Sequence, residues 1–192
     1  IPNLSLTAIP LKALKALYIQ RNADREKNKN WYNESMDLLY ESIKDNPYIM
    51  FSEGSLAEIY YALKIKDSAY KYARKSFEGL PKNSIHYAML SKLYANEGKI
   101  DSIIFQYHEI NTPPKEGINT IYLASMNNFF NQLPDSLSKI VLNDAKSAKK
   151  IFKKSKDVQE LADRIIYGSE KVEQALNYED KAEEQLANRQ TS

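Results

Sequence analysis

Cysteine is absent from the 192-residue sequence. Its absence excludes disulfide bonds, zinc sites built on thiolates and thiol nucleophiles. It does not identify a compartment, because cytoplasmic and periplasmic proteins can both lack cysteine. Any chemistry must therefore come from other side chains.

Glycine and proline are scarce, with five and seven residues respectively. Because β sandwiches need many turns, this scarcity favours helices. Apolar residues make up 43% of the chain and charged residues 27%, which is typical of a globular fold. The composition predicts an all-α protein.

Long apolar runs are also missing. No segment approaches the roughly 18 apolar residues that span a bilayer. The first residues, IPNLSLTAIPLKALKALYI, lack the charged leader and cleavage pattern of a signal peptide. We therefore expect the given chain to be soluble, and, because it begins with Ile1, to be a piece of a longer protein.

Charge of one sign is not in excess, since the formal net charge is +2. A nucleic-acid binder typically has a strongly basic surface, so we do not expect a nucleic-acid partner. The few arginines beside many lysines, asparagines and tyrosines are typical of an AT-rich genome. Bulk charge identifies no partner.

The sequence does contain a repeat with a period of 34 residues. This spacing separates Leu56 from Leu90 and Tyr60 from Tyr94, and it is the period of helical-hairpin repeats. The third unit is predicted to be two helices broken at Gly98. Their inward residues are predicted to be Tyr87, Leu90, Ser91, Tyr94, Ile103, Tyr107 and Ile110.

The two earlier units follow the same pattern. In the second unit, with a turn at 64–67, the predicted inward residues are Leu56, Ala57, Tyr60, Ala69, Ala73, Ser76 and Phe77. In the first unit they are Leu11, Leu14, Tyr18, Tyr32, Ser35, Leu39, Ser42 and Ile43. An eight-residue insertion in the first unit, ADREKNKN at 23–30, is predicted to be an exposed loop.

Residues 10–114 resemble the tetratricopeptide repeat (TPR) family. The resemblance implies a right-handed superhelical solenoid of stacked antiparallel helical hairpins. The motif is degenerate: the usual tryptophan is replaced by Leu11, Glu53 and Tyr87, and the usual glycine by Lys15, Ala57 and Ser91. The pentatricopeptide family, whose hairpins read RNA, is an alternative, but its usual period is one residue longer.

Residues 1–9 are predicted to be an extended segment, and residues 115–192 a fourth hairpin followed by capping helices. The fourth hairpin is split at Pro134, and its predicted core is Ile121, Ala124, Phe129, Leu137, Ile140, Val141 and Ile151. The last helix breaks at Gly168, and its polar residues suit a cap on an exposed stack. Alternatively, a further repeat begins at Tyr178.

A second resemblance concerns IPNLSLTAIPLKALKALYI and NPYIMFSEGSLAEIYYALKIKDSAYKYA. They are similar to the soluble repeat region after the membrane spans of some bacterial polytopic proteins linked to surface polysaccharide assembly. The similarity implies an extracytoplasmic domain of a membrane-anchored protein; otherwise a cytoplasmic location is expected. No catalytic motif of that group lies in the sequence.

In the TPR family the first helices of the hairpins line a concave groove. Helical phase assigns to this groove Lys12, Ala16, Gln20, Phe51, Ser55, Glu58, Tyr61, Met89, Lys92 and Asn96. Aromatic residues, methionine and scattered charge suit an extended or helical peptide. Chaperone-binding members clamp a terminal carboxylate with lysines and asparagines; alanine and serine replace the two expected asparagines here, so that ligand is not predicted.

Catalytic and metal-binding patterns are weak. His86 and His108 lie on different predicted helices, and neither has a second histidine or a carboxylate at helical ligand spacing. Glu53 with Glu58, or Glu183 with Glu184, could act as acid–base pairs, but solvated helix faces explain them better. We expect no catalytic residue, no metal and no cofactor.

The run KSAKKIFKKSK forms a basic stripe of Lys146, Lys149, Lys150 and Lys153. Such a stripe could contact anionic lipid, an acidic polymer or nucleic-acid phosphate. The alternative is the solvated back of an amphipathic helix, partly neutralised by Asp157, Glu160 and Asp163.

The sequence therefore predicts a non-enzymatic protein–protein interaction module that binds a peptide in its groove. Phe51 and Tyr61 are the predicted anchors, while Glu58 and Lys92 set the peptide's orientation. Alternatively, neighbouring helices or the N-terminal segment cover both rings. Two other functions stay open. They are a helical-repeat RNA-binding module and a soluble accessory domain of a membrane-bound polysaccharide-assembly enzyme.

Overall fold

The computed structural model describes residues 9–26, 30–80 and 83–190, with side chains to Tyr178 and at Lys181. All secondary structure in these residues is helical, which confirms the predicted all-α class. The predicted N-terminal segment lies outside the described residues except for Ile9. The helices are α1 (Leu11–Glu26), α2 (Asn30–Asp45), α3 (Phe51–Ala62), α4 (Lys66–Gly79), α5 (Ser84–Asn96), α6 (Ile100–Ile110), α7 (Glu116–Phe129), α8 (Asp135–Ile151), α9 (Lys156–Tyr167) and α10 (Ser169–Gln190), with a short 3-10 turn at Phe130–Gln132.

The chain divides into two compact units, Ile1–Glu97 and Gly98–Ser192. The first unit contains α1 to α5 and the second contains α6 to α10. The boundary falls between α5 and α6, the two helices predicted for the third hairpin.

Small side chains set the packing of the first unit. Each of its helices packs against the next one along the chain, from α1 on α2 to α4 on α5. Because alanine has almost no side chain, helices that meet through alanines can approach closely. The buried alanines are Ala13, Ala16, Ala23, Ala57, Ala69 and Ala73.

The predicted inward faces of α2 to α5 are confirmed at most positions. Ile43 and Tyr60 are half-buried rather than buried. The confirmed residues are Tyr32, Ser35, Leu39, Ser42, Leu56, Ala57, Ala69, Ala73, Ser76, Phe77, Tyr87, Leu90, Ser91 and Tyr94.

The predicted face of α1 is wrong. Leu11, Leu14 and Tyr18 are 82%, 45% and 69% exposed, and the buried residues lie on the opposite side of the helix. Close contact with α2 explains the difference, because the Ser35 hydroxyl donates a 2.8 Å hydrogen bond to Ala16 O. A leucine side chain would overpack so short an approach.

The predicted exposed loop at 23–30 is wrong in its first half. α1 continues to Glu26 and buries Ala23. The Tyr32 hydroxyl donates a hydrogen bond to Asp24, which ties the end of α1 to α2. Residues 27–29, like Pro81, lie outside the described residues.

Glycine ends two helices where the sequence predicted a break. Gly98 follows α5 with a φ of +70°, and Gly168 follows α9 with a φ of +91°. Side chains of L-residues are strained at positive φ, so glycine is favoured at both positions. In the turn between α3 and α4, Lys64 also has a positive φ, of +62°.

Large apolar side chains fill the second unit. α7 packs on α6, α8 and α9, and it buries Ile118, Tyr122, Leu123 and Met126. The Tyr122 ring stacks on the ring of Tyr107, with centroids 3.7 Å apart. The three residues predicted as the core of α6 are confirmed as buried, and they are Ile103, Tyr107 and Ile110.

The predicted core of the fourth hairpin is only partly right. Pro134 precedes α8 as predicted, and Val141 is buried. Of the other predicted core residues, Ile121, Phe129 and Leu137 are half-buried, and Ala124, Ile140 and Ile151 are exposed. α8 instead buries Ala145 and Ala148 beside Val141, so small side chains again lie on the buried face.

The last helix, α10, packs on α9. Between Ser169 and Tyr178 every side chain is exposed except that of Val172, which is half-buried. Such a polar helix suits the predicted capping role, which stays a prediction. No helix in the described ranges combines the length and the hydropathy that crossing a bilayer requires.

Candidate functional site

Tyr61, Lys92 and Asn96 form a surface cluster on α3 and α5. Lys92 Nζ lies 4.5 Å from the centre of the Tyr61 ring, and Asn96 Nδ2 donates a 2.7 Å hydrogen bond to the Tyr61 hydroxyl. The ring is half-buried, whereas Lys92 and Asn96 are exposed. Three residues predicted for the groove are therefore adjacent.

Glu58 lies one turn before Tyr61 on α3 and is exposed. Gln20 of α1 donates a 3.3 Å hydrogen bond from Nε2 to Glu58 Oε2. Because the Gln20 side chain is buried, it positions the carboxylate and offers no contact surface of its own. Glu58, Tyr61, Lys92 and Asn96 are called the Tyr61 face below.

Four other residues predicted for the groove do not offer a free side chain. Ala16, Ser55 and Met89 are buried. Phe51 is half-buried and packs against the core formed by α1, α2 and α3. The three buried side chains therefore offer no exposed surface to a peptide, and the Phe51 ring offers only part of its surface, so their assignment to the groove stays a prediction.

Lys12 belongs to a different surface. Its ammonium lies 2.7 Å from an Asp45 oxygen and 3.0 Å from a Glu41 oxygen, both on α2. The hydrogen bond to Asp45 is the largest cause that raises the pKa of Lys12, and the hydrogen bond to Glu41 is the second. The lysine therefore links α1 to α2, and its assignment to the groove stays a prediction.

The four lysines of the predicted basic stripe differ in their contacts. Lys149 is paired with Asp163, and its ammonium lies 5.6 Å from the centre of the Tyr167 ring. Lys146, Lys150 and Lys153 are exposed. Lys149 therefore joins α8 to α9, and the other three lysines are accessible to an anionic partner.

A polar chain that the sequence analysis missed joins α6, α7 and α8. His108 Nε2 lies 3.1 Å from Asp144 Oδ2, and the Tyr122 hydroxyl donates a 2.7 Å hydrogen bond to the same oxygen. Burial raises the pKa of the Asp144 carboxyl, although Tyr122 and His108 lower it in part. No short sequence spacing could have revealed the contact, since the three residues lie on three helices.

Two polar pairs in α3, α4 and α5 include buried members. His86 Nδ1 is hydrogen-bonded to the Ser76 hydroxyl, and burial lowers the pKa of His86. Glu53 is fully buried, and Lys75 Nζ lies 3.0 Å from its Oε1, while its Oε2 has no partner among the described residues. A substrate could not reach these buried groups without a change in packing.

Three tyrosines from α2, α3 and α4 form a further cluster. The hydroxyls of Tyr40 and Tyr60 are 2.5 Å apart, and the Tyr72 hydroxyl donates a 3.3 Å hydrogen bond to Tyr40. The rings of Tyr60 and Tyr72 stack with centroids 5.5 Å apart. Tyr60, predicted to pack inward, therefore joins a partly exposed aromatic cluster.

Comparison with known proteins adds no assignment. No protein-family model matches the chain, and no curated protein matches it. In the part of the chain that the structure describes, no three histidine or acidic side chains converge as a metal ion would require. The function must therefore be argued from the side chains above.

Proposed function

We propose that this protein is a non-enzymatic interaction module of the tetratricopeptide type. In this proposal its hairpins form a right-handed superhelical stack, and the Tyr61 face binds a peptide segment of a partner protein. The 34-residue repeat supports the stack. So do the contacts of α3 with both α1 and α5, because first helices of successive hairpins lie side by side in such a stack.

The observation that carries the proposal is the fixed position of the Tyr61 ring. Lys92 lies against the ring, and Asn96 holds its hydroxyl, so the side chain has little rotamer freedom left to lose. A ligand that covers such a ring incurs a smaller ordering cost than one that must immobilise it. Tyrosine is also a residue type in which binding energy concentrates.

The charges of the Tyr61 face define the peptide's chemistry. An apolar or aromatic side chain would cover the Tyr61 ring, an acidic residue would pair with Lys92, and a basic residue would pair with Glu58. Gln20 already fixes the Glu58 carboxylate, so this group costs little to orient. The expected ligand is a short segment with an apolar residue between charges of opposite sign.

A peptide-display selection on the immobilised protein tests the proposal. Affinities would be measured with the most enriched sequence as a synthetic peptide. Tyr61→Ala should weaken binding by about 30-fold, equivalent to about 2 kcal/mol. Tyr48→Ala is the matched control, because Tyr48 is 76% exposed, lies in the same unit and is outside the Tyr61 face.

Variants that remove a charge distinguish electrostatic steering of the peptide from burial of its apolar residue. Glu58→Gln should mainly lower the association rate and its dependence on salt, because Glu58 lies at the edge of the face. Binding that survives the Phe51→Ala/Tyr61→Ala double variant unchanged would contradict the proposal. Equal losses in Tyr48→Ala and Tyr61→Ala would also contradict it.

A further inference from the structure

A groove of about 680 Å³ lies between α9 and α10 in the second unit. Apolar atoms reach it from both helices, through Tyr167 of α9 and through Val172, Ala175 and Leu176 of α10. Four lysines line the same groove, namely Lys153, Lys154, Lys156 and Lys171. An apolar wall and a basic margin therefore meet in one site.

The acidic residues of the lining are already neutralised. Glu160 lies 3.0 Å from Arg164, and Asp163 is paired with Lys149. The four groove lysines are exposed, and none of them pairs with an acidic side chain among the described residues. The groove consequently offers net positive charge to a ligand.

The apolar wall is open to water. Tyr167 is 58% exposed and Leu176 is 37% exposed, so a ligand that covered them would remove apolar surface from water. A volume of this size is in the range of pockets for single small molecules.

We propose that this groove binds a single-chain anionic amphiphile. The lysines that precede and begin α9, Lys153, Lys154 and Lys156, hold the carboxylate or phosphate head, and the chain lies along Tyr167, Val172 and Leu176. Lysine suits this task because its ammonium reaches an anion while its alkyl stem covers apolar surface. This site differs from the basic stripe, with which it shares only Lys153.

Matched ligands test the two halves of the site. Calorimetric titrations would use dodecanoate and dodecyl phosphate below their micelle concentrations, and would distinguish the two head groups. Dodecyl maltoside keeps the chain with a neutral head, and acetate keeps the head without the chain. Both should bind at least about tenfold more weakly than the anionic amphiphiles. Equal binding of dodecyl maltoside would overturn the proposal.

Matched variants test the location. The triple variant Lys153→Gln/Lys154→Gln/Lys156→Gln should weaken dodecanoate binding about tenfold and reduce its dependence on salt. The control is Lys139→Gln/Lys146→Gln/Lys150→Gln, which removes the same charge from exposed positions on α8. If the control loses as much affinity as the groove variant, bulk charge and not the groove binds the ligand.

A second pair of variants tests the apolar wall. Leu176→Ser should lower affinity several-fold, whereas Ile140→Ser, at a residue of nearly equal exposure (39%) outside the groove, should leave it unchanged. Circular dichroism would verify that each variant is folded. Binding to phosphatidylglycerol vesicles without binding to either monomeric amphiphile would assign the lysines to a membrane surface and overturn the groove proposal.

Discussion

The two units bury polar groups in different ways. In the first unit, Glu53 is fully buried with one cationic neighbour, Lys75, and one oxygen without a partner among the described residues. In the second unit, the buried Tyr122 hydroxyl leads through Asp144 to His108, which is exposed to water. Both arrangements end in a half-exposed side chain, but Glu53 has one partner, whereas Asp144 has two, His108 and Tyr122.

The difference predicts different sensitivities. A buried carboxylate depends on its counter-charge, because an unpaired charge away from water is very costly. A carboxylate with two partners keeps one of them when the other is lost, as Asp144 would keep Tyr122. The stability of the first unit should therefore respond most to changes of charge. The stability of the second unit should respond most to loss of the Tyr122 ring, which stacks on Tyr107 and carries the hydroxyl that donates to Asp144.

The largest effect is expected from Tyr122→Ala. The change removes a fully buried ring, its stacking on Tyr107 and a hydrogen bond to Asp144. We expect a loss of about 4 kcal/mol in the free energy of unfolding, measured by urea denaturation with circular dichroism. Tyr178→Ala, at a ring that is 74% exposed, is the control and should change stability by less than about 0.5 kcal/mol.

A smaller loss is expected from Lys75→Ala in the first unit. Removing the ammonium leaves the Glu53 carboxylate buried without its counter-charge, at a cost of about 2 kcal/mol; half-exposure of the Lys75 side chain keeps this below the range for fully buried pairs. Fluorescence of Trp31, the single tryptophan, which packs on the core of this unit, would follow unfolding.

Two further variants check that charge is the cause. Lys66→Ala, at an exposed lysine of the same helix, should be nearly silent. Adding Glu53→Gln to Lys75→Ala should restore part of the lost stability, since a neutral amide needs no counter-charge. If the double variant is less stable than Lys75→Ala alone, the ion pair is not the reason for the loss.

Acidification should also destabilise the first unit. Burial lowers the pKa of His86 below its ordinary value of 6.5. As the pH falls below 6.5, the unfolded chain takes up a proton that folded His86 resists, so stability is lost until the lower folded-state pKa is reached. Trp31 fluorescence during denaturation at successive pH values would measure this loss. His86→Gln should flatten it, and an unchanged pH profile in that variant would assign the loss to other groups.

The smallest effect is expected from His108→Gln. His108 is the exposed end of its chain, and Asp144 keeps the hydrogen bond from Tyr122. Polar contacts of exposed side chains contribute little, so stability should change by about 0.5 kcal/mol or less. A loss comparable with that of Tyr122→Ala would show that the chain does not tolerate removal of its exposed member, and would remove the contrast between the units.

Sequence periodicity predicted the packing of α2 to α5 well, and it failed in α1 and α8 for one reason. In both helices two faces have helical spacing, one of large apolar residues and one of alanines. Hydropathy favours the larger residues, but close helix contact favours the smaller ones, so Ala16 and Ala145 are buried while Leu11 and Ile151 are exposed. The distance between the packed helices determines which face is buried, and the local sequence does not encode that distance.

The candidate site shows the same limit. Helical phase identified Glu58, Tyr61, Lys92 and Asn96, which do lie on adjacent helices, because the repeat period relates α3 to α5. It could not predict that Lys12 pairs with α2, since that contact depends on the register between two helices. The groove between α9 and α10 was missed because no repeat signature covers these helices.

Gly54 lies close to the buried His86 and Ser76, and this contact limits which residues can occupy position 54. A Cβ atom at this position would lie 3.1 Å from His86 Nδ1 and 3.3 Å from the Ser76 hydroxyl oxygen, so an added methyl group would compress their hydrogen bond. Contacts this short make substitutions non-additive. In related chains, positions 54, 76 and 86 should therefore vary together: a larger residue at 54 should be accompanied by a smaller pair at 76 and 86.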